Sequence, residues 1–137
     1  MSSTPAAHAP ALPAPLAADD VAVPLLDAEK LDVYRCAVEF QALAATLVPA
    51  GYRVLRDQLE RASVSVVLCI AEGGGRRSHP DKARFYTMAR GSAAECAAIV
   101  DLLLIRGLAL PVLCRRGRSL LVRIVQMLTK LQARLAA

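Results

Sequence analysis

Three short runs of helix-breaking residues divide this chain, and their spacing constrains the fold more than any other feature. Pro49-Ala50-Gly51, Gly73-Gly74-Gly75 and the stretch from Gly107 to Pro111 separate segments of roughly 20 to 27 residues. Each segment is long enough for a full helix and too long for a strand. The three prolines after residue 24 (Pro49, Pro80, Pro111) all fall at segment boundaries, where a missing amide donor is tolerated. The predicted helices therefore cover 27–48, 52–72, about 80–106 and 111–135. Asp27 and Ser78 are candidate N-caps, and Gly73 is a candidate left-handed C-cap.

Apolar spacing inside the segments agrees. Leu55, Leu59, Ala62, Val66 and Cys69 alternate at intervals of four and three, and Leu121, Ile124, Leu128, Leu131 and Leu135 form a second seam. Ser63-Val64-Ser65-Val66-Val67-Leu68 alternates and is β-branched, but its helical flanks and the lack of a partner strand favour helix. Of 137 residues, 55% are hydrophobic and only 4% aromatic, with 26 Ala and 21 Leu. That composition excludes a disordered chain and disfavours β-sandwiches and barrels. The expected fold is all-α, an antiparallel up-down-up-down four-helix bundle over residues 27–137, behind a Pro/Ala-rich leader at 1–26. The third helix is apolar on more than one side (Ile99, Val100, Leu102, Leu103, Leu104, Ile105), which points to self-association.

Charge is unevenly distributed. The net charge is +5, yet residues 1–30 carry Asp19, Asp20, Asp27 and Glu29 against Lys30 alone. No acid follows Asp101, whereas Arg106, Arg115, Arg116, Arg118, Arg123, Lys130 and Arg134 do. Such a block favours a polyanion or an acidic protein. Arg116, Arg123 and Lys130 recur every seven residues on one helix face. A second basic group, Arg76, Arg77, Lys82 and Arg84, surrounds the predicted turn at Ser78, where a helix N-terminus offers amide donors. The few aromatics (Tyr34, Phe40, Tyr52, Phe85, Tyr86) supply little base-stacking surface.

The four cysteines (Cys36, Cys69, Cys96, Cys114) form no CxxC pair, and His8 and His79 are the two histidines. Buried reduced thiols are expected, with neither metal nor cofactor. No signal peptide or membrane span is evident, so a cytoplasmic location is expected. No nucleophile has a base beside it. Gly73-Gly74-Gly75-Arg76-Arg77-Ser78 lacks the Lys-Ser/Thr pair and preceding strand of a phosphate loop. Glu72 and Glu95 are the carboxylates nearest the apolar stripes. They read as members of a polar network in which Arg61 meets Glu72 or Glu95, helped by Ser65 and Ser92. Catalysis is not expected.

The stretch Cys69-Ile70-Ala71-Glu72-Gly73-Gly74-Gly75-Arg76-Arg77-Ser78 resembles the NIAEGxGR(K/R)S signature of the four-helix bundle proteins encoded in 23S rRNA intervening sequences. Arg84-Phe85-Tyr86, Ala89, Gly91-Ser92 and Glu95 are similar to its continuation, Gln58, Arg61-Ala62 and Ser65 to its second helix, and Leu31-Asp32-Val33-Tyr34 to its opening. Cys69 stands where the family has Asn and cannot reproduce both amide functions. The resemblance implies a homopentameric barrel, and it extends to the accessory proteins of diversity-generating retroelements, which bind nucleic acid and a reverse transcriptase. The expected function is non-enzymatic nucleic-acid binding through Arg115, Arg116, Arg118, Arg123 and Lys130, then Arg76, Arg77 and Lys82. The alternative is an adaptor that docks an acidic protein such as a reverse transcriptase.

Overall fold

The computed structural model describes residues 25–136, so the leader expected at 1–26 lies outside the described residues except for Leu25 and Leu26. A short 3-10 helix at Ala28–Lys30 is followed by α1 (Asp32–Ala44), α2 (Arg53–Gly75), α3 (His79–Ile105) and α4 (Pro111–Ala136). No strand occurs among the described residues, and the ambiguous segment from Ser63 to Leu68 lies within α2. Each helix packs on its neighbours in the chain, and α4 closes back onto α1.

Cross-helix contacts give the directions. Along α2 and α3, Arg61 meets Glu95, Ser65 meets Ser92 and Gly73 meets Tyr86, so one number rises as the other falls. Arg118 with Asp101 and Gln132 with Thr87 show the same for α3 and α4. Gln41 with Glu60 runs α1 against α2. The order is therefore up, down, up, down. Phe40, Leu59, Ile70, Leu103, Ile124 and Leu128 fill the shared core, each less than 2% exposed. Ser63 is fully buried among them, and its hydroxyl donates to the Glu60 carbonyl, as a buried polar group requires.

Two boundaries differ from expectation. The first helix is broken at Leu31 (φ −86°, ψ 132°), which sends its opening turn off as the 3-10 helix. Asp27 therefore precedes that short element and not a long helix. The glycine triad does not end α2 at residue 72, and none of its members has positive φ; in this chain Gly51 and Gly107 do. Close packing explains the triad instead. A methyl group on Gly73 would lie 2.6 Å from Tyr86 Cε1, and one on Gly74 would lie 3.0 Å from the Ala28 side chain. α2 runs through the triad to Gly75 and stops at the extended Arg76.

The other punctuation acts locally as expected. The Ser78 hydroxyl accepts the Asp81 amide at 3.2 Å, with Pro80 in the first turn of α3. At the far end of α3, the Leu108 amide donates to Leu103 and Gly107 to Leu104, the paired bonds of a glycine-terminated helix.

The two readings of the triad predict opposite outcomes. Gly73→Ala is expected to cost roughly 1–3 kcal/mol, because buried Tyr86 cannot retreat from the new methyl group. Gly75→Ala, which meets nothing within 4 Å, is expected to leave stability unchanged or raise it by up to about 0.5 kcal/mol. Urea unfolding of both variants measures the difference.

Candidate nucleic-acid interface

The apolar seam of α4 turns its heptad of cations toward α1. Arg116 donates to Glu39 at 2.8 Å across the α1–α4 contact, with both side chains about one-third exposed. Its Nε is buried and has no hydrogen-bond partner among the described residues. Arg116 is thus committed to holding α4 on α1 and is poorly placed to receive a phosphate. Two turns further on, burial raises the Cys36 thiol of α1 and the Arg123 guanidinium opposes that rise. Lys130 and Arg134 line a cleft of about 250 Å³ with Leu31, Asp32, Val33, Met127 and Leu131. Arg123, Lys130 and Arg134 are exposed and ion-pair with no carboxylate among the described residues.

Arg118 lies on the opposite side of α4, against α3. It donates to Asp101 at 3.2 Å, and both groups are more than half exposed. Arg115 is exposed, without a carboxylate partner among the described residues. The five α4 cations expected to act together therefore separate by helix face, and the two nearest to acids are already paired. Arg134 belongs to the basic block but not to the expected binding set. It sits one turn beyond Lys130 on the same face, and that i, i+4 spacing is the signal that could have found it.

The second basic group is also partly committed. The Lys82 ammonium donates to the Gly73 and Gly74 carbonyls at 3.3 and 3.1 Å, capping the end of α2. Arg76 pairs with Glu72 at 2.9 Å and lies over the Phe85 ring at 4.8 Å. Arg84 covers the same ring at 4.5 Å and pairs weakly with Asp81. Arg77 remains exposed, with no carboxylate partner among the described residues.

The polar network is smaller than expected. Arg61 ion-pairs with Glu95, and the Ser65 and Ser92 hydroxyls are 2.8 Å apart. Glu72 takes no part, because Arg76 one turn away reaches it first. The network is also not buried, since the Arg61 side chain is 63% exposed. Cys69 Sγ lies 3.7 Å from the Ser65 hydroxyl, at the position where the resemblance implies an amide.

All four cysteines are free and buried. Burial pushes the Cys96 thiol up to about 12, with neighbouring Glu95 adding to the rise and Arg61 opposing it. Burial likewise raises Cys36 and Cys114. Such thiols remain protonated and unreactive at neutral pH. Among the described residues no group of three or more His, Cys, Asp or Glu could hold a metal ion, and no helix is long and apolar enough to cross a membrane.

Residues 29–130 match the sequence model of the 23S rRNA-intervening sequence protein family. No curated protein matches the chain.

The two kinds of α4 cation should differ when removed. Arg116→Ala is expected to lower the unfolding free energy by roughly 1–2 kcal/mol, since it leaves Glu39 without its partner at a helix contact. Arg123→Ala should stay within about 0.5 kcal/mol of the parent. Stability should also depend on alkaline pH through Cys96. Its folded pKa lies above the ordinary 9.0, so the folded chain binds that proton more tightly than the unfolded one. The stabilisation is complete below pH 9 and is lost progressively as pH rises toward 12. Cys96→Ala should flatten that part of a pH–stability profile measured by chemical unfolding.

Proposed function

The chain belongs to the 23S rRNA-intervening sequence protein family, and on that premise we propose that it is a non-enzymatic, oligomeric nucleic-acid-binding bundle. RNA is the preferred ligand in this reading. The observation that carries the proposal is the row Arg123, Lys130 and Arg134 along α4: exposed, at helical spacing, and without carboxylate partners among the described residues. Arg115 and Arg77 supplement the row. Arg116, Arg118, Lys82 and Arg76 take secondary roles, because each already holds a protein partner.

Contacts of this kind fall on phosphate oxygens and carry little sequence information, so binding should be broad in sequence and sensitive to salt. Self-association fits the same reading. Met88, Leu102 and Ile105 on the solvent side of α3 are 46%, 46% and 82% exposed. Beside them, Ala94 and Ala97 face Val122 and Val125 across an apolar groove between α3 and α4. We propose the homopentameric barrel implied by the resemblance, including its likeness to the accessory proteins of diversity-generating retroelements. Five copies would multiply weak phosphate contacts through local concentration.

The test combines light scattering with RNA titration of nuclease-treated protein. A mass near five subunits, with RNA taken up at low salt and released at high salt, is the expected result. Arg123→Glu/Lys130→Glu, retaining parental helix content, should weaken RNA binding by roughly tenfold or more at low salt. A folded variant that binds as well as the parent overturns the interface. A parent indifferent to RNA at both salts overturns the ligand class and leaves docking of an acidic protein as the function to test.

A further inference from the structure

The cleft between the start of α1 and the end of α4 has an apolar floor of Leu31, Val33, Met127 and Leu131 and a basic rim of Lys130 and Arg134. Asp32 is the acid in its lining, so the cleft carries one net positive charge. Arg123, seven residues before Lys130 on α4, extends the positive side. At about 250 Å³ the cleft is smaller than the ~300 Å³ typical of the smallest ligand pockets. It suits a pair of side chains from a peptide better than a cofactor.

The chain contains a segment with matching chemistry. The described part begins at Leu25, and Leu31 to Val33 already line the cleft. The preceding 24 residues contain no Lys or Arg and two adjacent acids, in Leu16-Ala17-Ala18-Asp19-Asp20-Val21-Ala22-Val23-Pro24. Pro24 biases Val23 toward extended backbone. In an extended segment, alternate side chains share a face, which groups Asp19 with Val21 and Val23. That face offers one carboxylate and two aliphatic groups to a site with a basic rim and an apolar floor. Leu26 to Glu29 lie against Ala71 and Gly75 at the end of α2, so the segment must cross the start of α1 to reach the cleft; Asp19 lies six residues before Leu25, a reach of up to roughly 20 Å.

We propose that residues 16–24 dock in this cleft of the same chain, with Asp19 toward Lys130 and Arg134, Val21 and Val23 on the apolar floor, and Asp20 on the outer face, where it adds to the charge attraction. Docking would occupy the terminal end of the basic row and oppose polyanion binding there. The docking stands independently of the nucleic-acid reading; the competition rests on it.

Hydrogen exchange of the full chain at low salt, followed by mass spectrometry, tests the docking. Exchange across residues 16–24 is expected to be about tenfold slower than in a free peptide of the same sequence. Asp19→Lys/Asp20→Lys should abolish the protection, as should Lys130→Glu/Arg134→Glu, and combining the two pairs should restore it. The leader pair lies outside the helices, so it remains informative even if the α4 pair disturbs folding. Exchange at the free-peptide rate in the parent overturns the proposal. So does protection indifferent to the leader swap, or protection that rises with protein concentration, which would place the segment on another copy. RNA titration of Asp19→Asn/Asp20→Asn separates the two readings. Tighter RNA binding than the parent supports the competition. A leader that is protected in a chain indifferent to RNA supports the docking while removing the nucleic-acid reading.

Discussion

The close approach of α2 and α3 at Gly73 is the constraint on which the rest of the bundle depends. Tyr86 is buried against a backbone with no Cβ in its way. That contact fixes how far α3 has risen when it meets the end of α2. The Ser65–Ser92 and Arg61–Glu95 contacts fall into register two and three turns further along. Lys82 then reaches back to the Gly73 and Gly74 carbonyls, satisfying acceptors that the end of a helix leaves open. Gly74 extends the same principle to the N-terminal side, since the 3-10 helix packs through Ala28 where a larger residue would collide. One glycine pair thus seats α3 on one side and the entry to α1 on the other.

The sequence announces most helix ends because their causes are local. Ser78 caps its own helix, Pro80 and Pro111 sit where amide donors are dispensable, and Gly107 takes the positive φ that closes α3. The triad at 73–75 is different. Glycine signals both chain reversal and close packing, and only the position of Tyr86, thirteen residues away across a turn, decides between them. The break at Leu31 has the same origin. Nothing in Ala28-Glu29-Lys30-Leu31 opposes a helix, but docking Ala28 on Gly74 requires the chain to leave the α1 axis.

Amphipathicity separates α3 from α4 in a way that bears on assembly. The α4 helix sorts its apolar and charged residues cleanly, whereas α3 buries Tyr86, Ala89, Ala93, Cys96, Val100 and Leu103 and still presents Met88, Leu102 and Ile105 outward. A helix with apolar residues on its solvent side gains by covering them, and an alanine-lined surface allows a partner backbone to come close. Polar residues also interrupt this side, among them Arg84, Thr87 and Asp101, with Glu95 reaching across to Arg61 of α2. The periodicity of α3 makes its outward apolar residues legible in the sequence, because no single stripe accounts for its apolar content.

Which cations stay without a carboxylate partner was not legible, and the reason is topological. Arg116 and Arg118 look no different in sequence from Arg115 and Arg123. Glu39 lies 77 residues from Arg116, and Asp101 lies 17 residues from Arg118 across the α3–α4 connection. Those acids meet α4 along its first half, where α1 and α3 bring them alongside. The second half has only Asp32 lining the same cleft, against Lys130 and Arg134. Lys130 and Arg134 therefore lie toward the end of α4 without ion-pair partners among the described residues, where antiparallel packing also places the start of α1. The chain from Leu26 to Glu29 enters the fold on the other flank of α1, against Ala71 and Gly75 of α2, so that the start of α1 separates it from the cations at the end of α4.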